Sequence, residues 1–85
     1  MKADTDLILR AVNARLEDAR AAHPQPMVDA HHALGILREE YKEVEVEIFK
    51  RRLNKSKFND ELLDLAAMCI RAIEDVGLAP KEDGR

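Results

Sequence analysis

Apolar residues recur along most of this chain at steps of three and four, and the pattern is broken in two places. From about Thr5 to Ala22, Leu7, Ala11, Ala14 and Ala21 are interspersed with Ile8, Val12 and Leu16 at helical spacing, with Asp4 or Thr5 placed to cap the first turn. His23, Pro24, Gln25 and Pro26 stop this first helix. A second helix is predicted over about 28–53, where Leu34, Leu37, Tyr41, Val44 and Ile48 alternate steps of three and four as a heptad seam. After the polar stretch Asn54 to Lys57, Ser56 or Asn59 can cap a third helix over about 58–76. Its core stripe reads Leu62, Leu65, Cys69, Ile73 and Val76, and Gly77 suits the left-handed position after a helix. Leu63, Ala67 and Ile70 form a second stripe that one short chain would struggle to cover. The segment 78–85 is expected to fray. The brief alternation Val44 to Phe49 sits among strong helix formers, which argues against a strand. The expected fold is all-α: one domain, an antiparallel hairpin or bundle of about three helices.

Acidic residues decorate these helices unevenly. The second gathers Glu39, Glu40, Glu43, Glu45 and Glu47, then reverses sign to Lys50, Arg51 and Arg52. Residues three or four apart share a helix face, so Glu40, Glu43 and Glu47 form a stripe with Ala33, Ile36 and Arg51 at the edge of the apolar seam. On the third helix Glu61 and Asp64 share a face with Met68 and Arg71. Should the two margins face each other, four carboxylates converge, and a fold keeps such charges together mainly around a hard cation such as Mg²⁺ or Mn²⁺. Magnesium retains open positions for water and phosphate oxygens, which points to phosphoryl chemistry. The basic run Lys50, Arg51, Arg52, Lys55 and Lys57 is placed to counter a triphosphate.

Each feature has a plainer reading beside this one. Acids followed by bases complement the helix dipole and make pairs such as Glu47 with Arg51, and Glu61 fits an ordinary first-turn acid. His31 and His32 read as an exposed or half-buried pair, Met68 and Cys69 as core filling, and the basic run as a solvated helix end.

Composition narrows the partners. Eighty-five residues bury only a modest core, so help from a second subunit is expected. With 14 Lys and Arg against 17 Asp and Glu the net charge is -3, which provides no field of the kind that drives non-specific nucleic-acid binding. The single Cys69 cannot form an internal disulfide and reads as a buried reduced thiol. The start lacks a signal-peptide core, and no segment approaches the roughly 18 apolar residues of a membrane span. A soluble, cytoplasmic protein without membrane association is expected.

Glu39-Glu40-Tyr41-Lys42-Glu43, a spacer of 17 residues, then Glu61-Leu62-Leu63-Asp64 matches the pattern Glu-Glu-x-x-Glu followed by Glu-x-x-Asp. The paired motif resembles the MazG-type, all-α nucleoside triphosphate pyrophosphohydrolase superfamily, and the wider stretch of about 31–76 is similar to small MazG-like proteins of bacteria and phages. The resemblance implies hydrolysis between the α and β phosphates to a monophosphate and pyrophosphate, with Mg²⁺ held by Glu40, Glu43, Glu61 and Asp64. Glu39 is then exposed or supports a ligand. A water oriented by the carboxylates or the cation attacks the α-phosphorus in line, with Arg51 or Arg71 stabilising the developing charge and Met68 lining the nucleotide pocket. The family also implies a homodimer or tetramer.

The competing reading is a non-catalytic helical module whose apolar stripes serve oligomerisation or protein interaction. A structural calcium site is disfavoured, because no loop with alternating oxygen ligands and a central Gly is present.

Overall fold

Two side-chain caps and one proline-rich break set the helix boundaries. A computed structural model describes residues 2–77. It contains α1 (Lys2–Ala22), α2 (Ala30–Ile48) and α3 (Lys55–Ala72), the last running into a π-helical turn, Ile73–Gly77. No strand occurs among the described residues. The segment 78–85, expected to fray, lies outside them.

Asp29 caps α2, its carboxylate accepting from the His32 N–H at 2.8 Å. Asn54 caps α3 by accepting from the Lys57 N–H at 3.1 Å. That places the start of α3 ahead of both expected caps, Ser56 and Asn59, since the amide at Asn54 already captures an orphan donor of the first turn. At the other end of α2, the Phe49 N–H bonds back to the Glu45 carbonyl at 3.0 Å and the helix stops, short of the expected 53. α1 begins at Lys2, which puts Asp4 in its first turn rather than at the cap. Gly77 does not adopt the expected left-handed φ. The Ile73 N–H is shared between the carbonyls of Cys69 and Ile70, and α3 widens into the π turn instead of ending in a glycine cap.

α3 is the central helix. It packs on α1 along one side and on α2 along the other, while α1 and α2 do not pack on each other. Val12 and Leu16 of α1 close against Ala67, which has no exposed surface, and Leu63, Ala66, Met68 and Ile70 surround the contact. The stripe Leu63, Ala67 and Ile70, taken from the sequence as surplus, is therefore the seam to α1. The stripe expected to be core faces outward in large part: Leu62, Cys69 and Ile73 are exposed, so the Cys69 thiol is not buried. A helix flanked by two neighbours turns a wide arc inward, and the small Ala67 allows the closer approach. On α2 the inward face carries Ala33, Val44 and Glu47, whereas the heptad residues Leu34, Tyr41 and Ile48 are exposed.

The loop between α1 and α2 is fastened to the end of α3. The Met27 N–H donates to Asp75 Oδ2 at 2.9 Å, and the Met27 side chain is buried. Arg71 is also buried, its Nη1 donating to the Ala19 carbonyl at 3.2 Å and its Nη2 to the carbonyls of His23 and Gln25. Its Nε lies 3.5 Å from Asp75. One guanidinium thus adds a second donor to the Ala19 carbonyl, which already accepts from the His23 N–H, and bonds the loop carbonyls of His23 and Gln25.

Candidate metal centre

Glu40, Glu43 and Glu47 succeed one another at steps of three and four on α2, and Glu61 projects from the first turns of α3 toward them. One carboxylate oxygen from each of Glu40, Glu43 and Glu61 lies within 4.8 Å of the other two. Glu47 joins this group from the next turn of α2, with only 6% of its surface exposed.

Three oxygens in this cluster, Glu40 Oε1, Glu47 Oε1 and Glu61 Oε1, are buried and receive no hydrogen bond from the protein. Buried polar atoms are ordinarily satisfied, and an orphaned carboxylate oxygen carries a desolvation penalty of about 1–3 kcal/mol or more. Glu47 is relieved on one side only, by Lys50 Nζ at 2.9 Å from its Oε2.

The electrostatics express the same frustration. Burial, reinforced by the charges of Glu43, Asp64, Glu61 and Glu39, pushes the Glu40 carboxyl from 4.5 up to about 7. Burial also raises Glu61, followed by its close contact with Glu43 and the charges of Asp64 and Glu47. Carboxylates with raised proton affinity and no protein donor fit a hard, oxygen-seeking cation, which supplies the missing positive charge to all of them at once.

Asp64 is placed differently from its three expected partners. Arg15 of α1 holds it, Nη1 lying 2.7 Å from Asp64 Oδ1 and Nη2 lying 2.8 Å from Asp60 Oδ1. Nη1 also donates to the Asp60 carbonyl at 3.1 Å. Asp64 remains close enough to raise Glu40, but its carboxylate is committed to a guanidinium.

Between the C-terminal half of α1 and α2, floored by α3, runs a groove beside the cluster. Two adjoining hollows of about 480 and 520 Å³ share Ala22, His23, Glu40, Met68 and Arg71. Each is within the usual range for a small-ligand site, and Met68 forms part of the wall.

The two arginines expected to bind phosphate are placed differently from each other. Arg71 lines the groove but spends its donors on backbone carbonyls. Arg51 follows the end of α2 and is exposed, and Glu47 pairs with Lys50 rather than with Arg51. The helix ends before Arg51 can continue the Glu43 and Glu47 face. Glu39 borders the groove and is exposed.

Arg15 and Glu47 belong to the site although the sequence did not single them out for it. Glu47 was legible as a continuation of the Glu40 and Glu43 face. Arg15 had only a weak signal, a lone base beside the Val12 and Leu16 stripe, and no sequence rule pairs it with acids 45 and 49 positions away.

Compared with protein-family models, curated proteins and solved structures, the chain matches none.

Proposed function

We propose that this chain is a Mg²⁺-dependent nucleotide pyrophosphohydrolase that cleaves a nucleoside triphosphate to a monophosphate and pyrophosphate. One observation carries the reading: Glu40, Glu47 and Glu61 each leave a buried oxygen unsatisfied, and Glu40 lines a groove of nucleotide size. The paired acidic motif discussed above supports the same conclusion.

Glu40, Glu43 and Glu61 would hold the cation, with Glu47 beneath them and Asp64 at the margin. A bound Mg²⁺ polarises phosphate oxygens and offsets charge as a phosphoryl group is displaced. The chain's own residues prepare that site. Arg15 orients Asp64 and Asp60, Arg71 fixes the groove wall by tying α1 and its loop to α3, and Met68 supplies an apolar surface. Arg15 also lines the groove beside Asp64, with its donors on Asp64, Asp60 and the Asp60 carbonyl.

The test is pyrophosphate release from a panel of standard and modified nucleoside and deoxynucleoside triphosphates with Mg²⁺ or Mn²⁺. A Glu40→Gln, Glu61→Gln double variant serves as control. Metal-dependent turnover that vanishes in the double variant supports the proposal; equal release by both proteins contradicts it.

A non-catalytic interaction module is the second reading, favoured by the exposed apolar residues of α2. Under it, no triphosphate turns over and the acids can be neutralised without loss of function.

A further inference from the structure

The connection between α2 and α3 gathers bases at one end of the helical hairpin. Lys50, Arg51, Arg52, Lys55 and Lys57 follow one another closely, and no acid stands between Ile48 and Asn59. The remaining bases share the rest of the chain with all 17 Asp and Glu. A molecule whose net charge is -3 is therefore strongly positive at this tip.

The fold leaves the tip bare. α2 stops at Ile48, Asn54 caps α3 at Lys55, and every residue from Ile48 to Lys57 is exposed. Lys50 is paired with Glu47, but Arg51, Arg52, Lys55 and Lys57 form no ion pair among the described residues. Asp60, the first acid beyond the tip, is held by Arg15. Apolar side chains sit among these bases: Phe49 is 80% exposed, and Ile48 and Leu53 are 48% and 44% exposed.

The two properties together specify the occupant. A basic patch by itself attracts any polyanion. Single-stranded nucleic acids stack their bases on aromatic rings, whereas this tip exposes one ring beside two aliphatic side chains. The boundary between lipid headgroups and acyl chains accepts all three, and anionic headgroups attract the bases. The same surface repels the acid-rich remainder of the chain, which turns the molecule tip first.

We propose that the α2–α3 tip docks on an anionic lipid membrane, with Phe49 and Leu53 entering the headgroup boundary and Arg51, Arg52, Lys55 and Lys57 meeting the lipid anions. No helix among the described residues is long and apolar enough to cross a membrane, and the contact is with its surface. Absence of membrane association was expected from the lack of a spanning segment and a signal-peptide core, neither of which bears on a surface contact. The groove reaches the loop between α1 and α2, at the opposite end of α2, and docking requires neither a bound metal nor turnover.

Co-sedimentation of the full chain with lipid vesicles is the test. The chain should pellet with vesicles of equal parts phosphatidylcholine and phosphatidylserine, stay in solution with phosphatidylcholine alone, and be released by added salt. Arg52→Gln with Lys55→Gln should lower the partition coefficient about thirtyfold and Phe49→Ser about tenfold, with helical content by circular dichroism unchanged. Emission from a Phe49→Trp variant should shift to the blue on the phosphatidylserine vesicles, whereas that from Val28→Trp, 80% exposed before the other end of α2, should not. An unmodified chain that does not pellet, equal binding to both kinds of vesicle, or a blue shift at position 28 instead of 49 would overturn the proposal. So would tighter capture of single-stranded RNA than of vesicles, which marks a nucleic-acid surface. Release from vesicles by inorganic triphosphate, at an ionic strength where sodium chloride has no effect, would also overturn it and mark a phosphate clamp.

Discussion

Arg15 Nη1 sits 2.7 Å from Asp64 Oδ1, joining α1 to α3 at the edge of the acidic cluster. The same guanidinium reaches Asp60 one turn earlier on α3, so a single base neutralises two acids. Glu40, Glu43 and Glu61 form no ion pair with a base among the described residues. That division separates carboxylates settled by the fold from carboxylates left for a ligand.

Arg15→Gln should lower stability by about 1 kcal/mol, the scale of a partly exposed ion pair with two acceptors. It should also tighten Mg²⁺ binding, because Asp64 is then released toward the cluster and a competing cation is gone. Chemical denaturation and calorimetric titration check the two halves. Weaker metal binding in this variant would contradict the division of roles.

Neutralising the cluster should have the opposite sign for stability. Glu40→Gln removes a carboxylate held up at about 7 by burial and like charges. In metal-free buffer at neutral pH the variant should be more stable by on the order of 1 kcal/mol, after discounting for solvent screening. Glu61→Gln should act in the same direction. Both should lose the rise in melting temperature that Mg²⁺ gives the unmodified chain. A destabilised Glu40→Gln protein would show that the carboxylate makes a favourable contact.

The dependence on pH follows from the same group. An unfolded carboxyl releases its proton near 4.5, while native Glu40 keeps it until about 7, so the native state binds more protons across that window. Its contribution to stability therefore falls as pH rises from 4.5 to 7 and stays at the lower level above. A cation competes with that proton. The Mg²⁺-induced rise in melting temperature should be small at about pH 5.5 and large at about pH 8, as binding requires the deprotonated ligand. A rise independent of pH over this range would remove Glu40 from the metal ligands.

Helix periodicity made the all-α architecture legible in the sequence, because apolar steps of three and four persist through each of the three helices. The assignment of stripes to neighbours was not legible. Leu63, Ala67 and Ile70 looked surplus and Leu62, Cys69 and Ile73 looked like core, since periodicity marks the apolar faces of a helix without saying which neighbour each meets. The acidic face of α2 and the Glu61 and Asp64 pair on α3 could be read from spacing, but that Glu61 meets Glu40 and Glu43 could not. Arg15 holding Asp64, and Arg71 turning to carbonyls of α1, depend on tertiary approach over 49 and 52 positions.

Arg71 offers a check on that last point. Arg71→Ala removes the donors to the carbonyls of His23 and Gln25, takes the second donor from the Ala19 carbonyl, and leaves Asp75 without its guanidinium. The expected cost is about 3 kcal/mol, large for a small domain. Arg71→Lys should recover only part of it, because one ammonium cannot span the same acceptors. Loss of substrate affinity with full stability would restore Arg71 to a phosphate-binding role.

Gly35 is exposed on α2, and a Cβ placed there meets no atom within 4 Å. Gly35→Ala should therefore stabilise the chain by about 0.5–1 kcal/mol through reduced freedom of the unfolded state. Thermal melting at fixed protein concentration checks this.

The most direct measurement is Mn²⁺ binding, followed by the loss of the free-ion signal in electron paramagnetic resonance, with Mg²⁺ as competitor. The unmodified chain should take up Mn²⁺ and yield it to Mg²⁺, whereas the Glu40→Gln, Glu61→Gln protein, still helical by circular dichroism, should not bind. Equal uptake by both proteins, or none by the unmodified chain at neutral pH, would contradict a cation site at Glu40, Glu43 and Glu61.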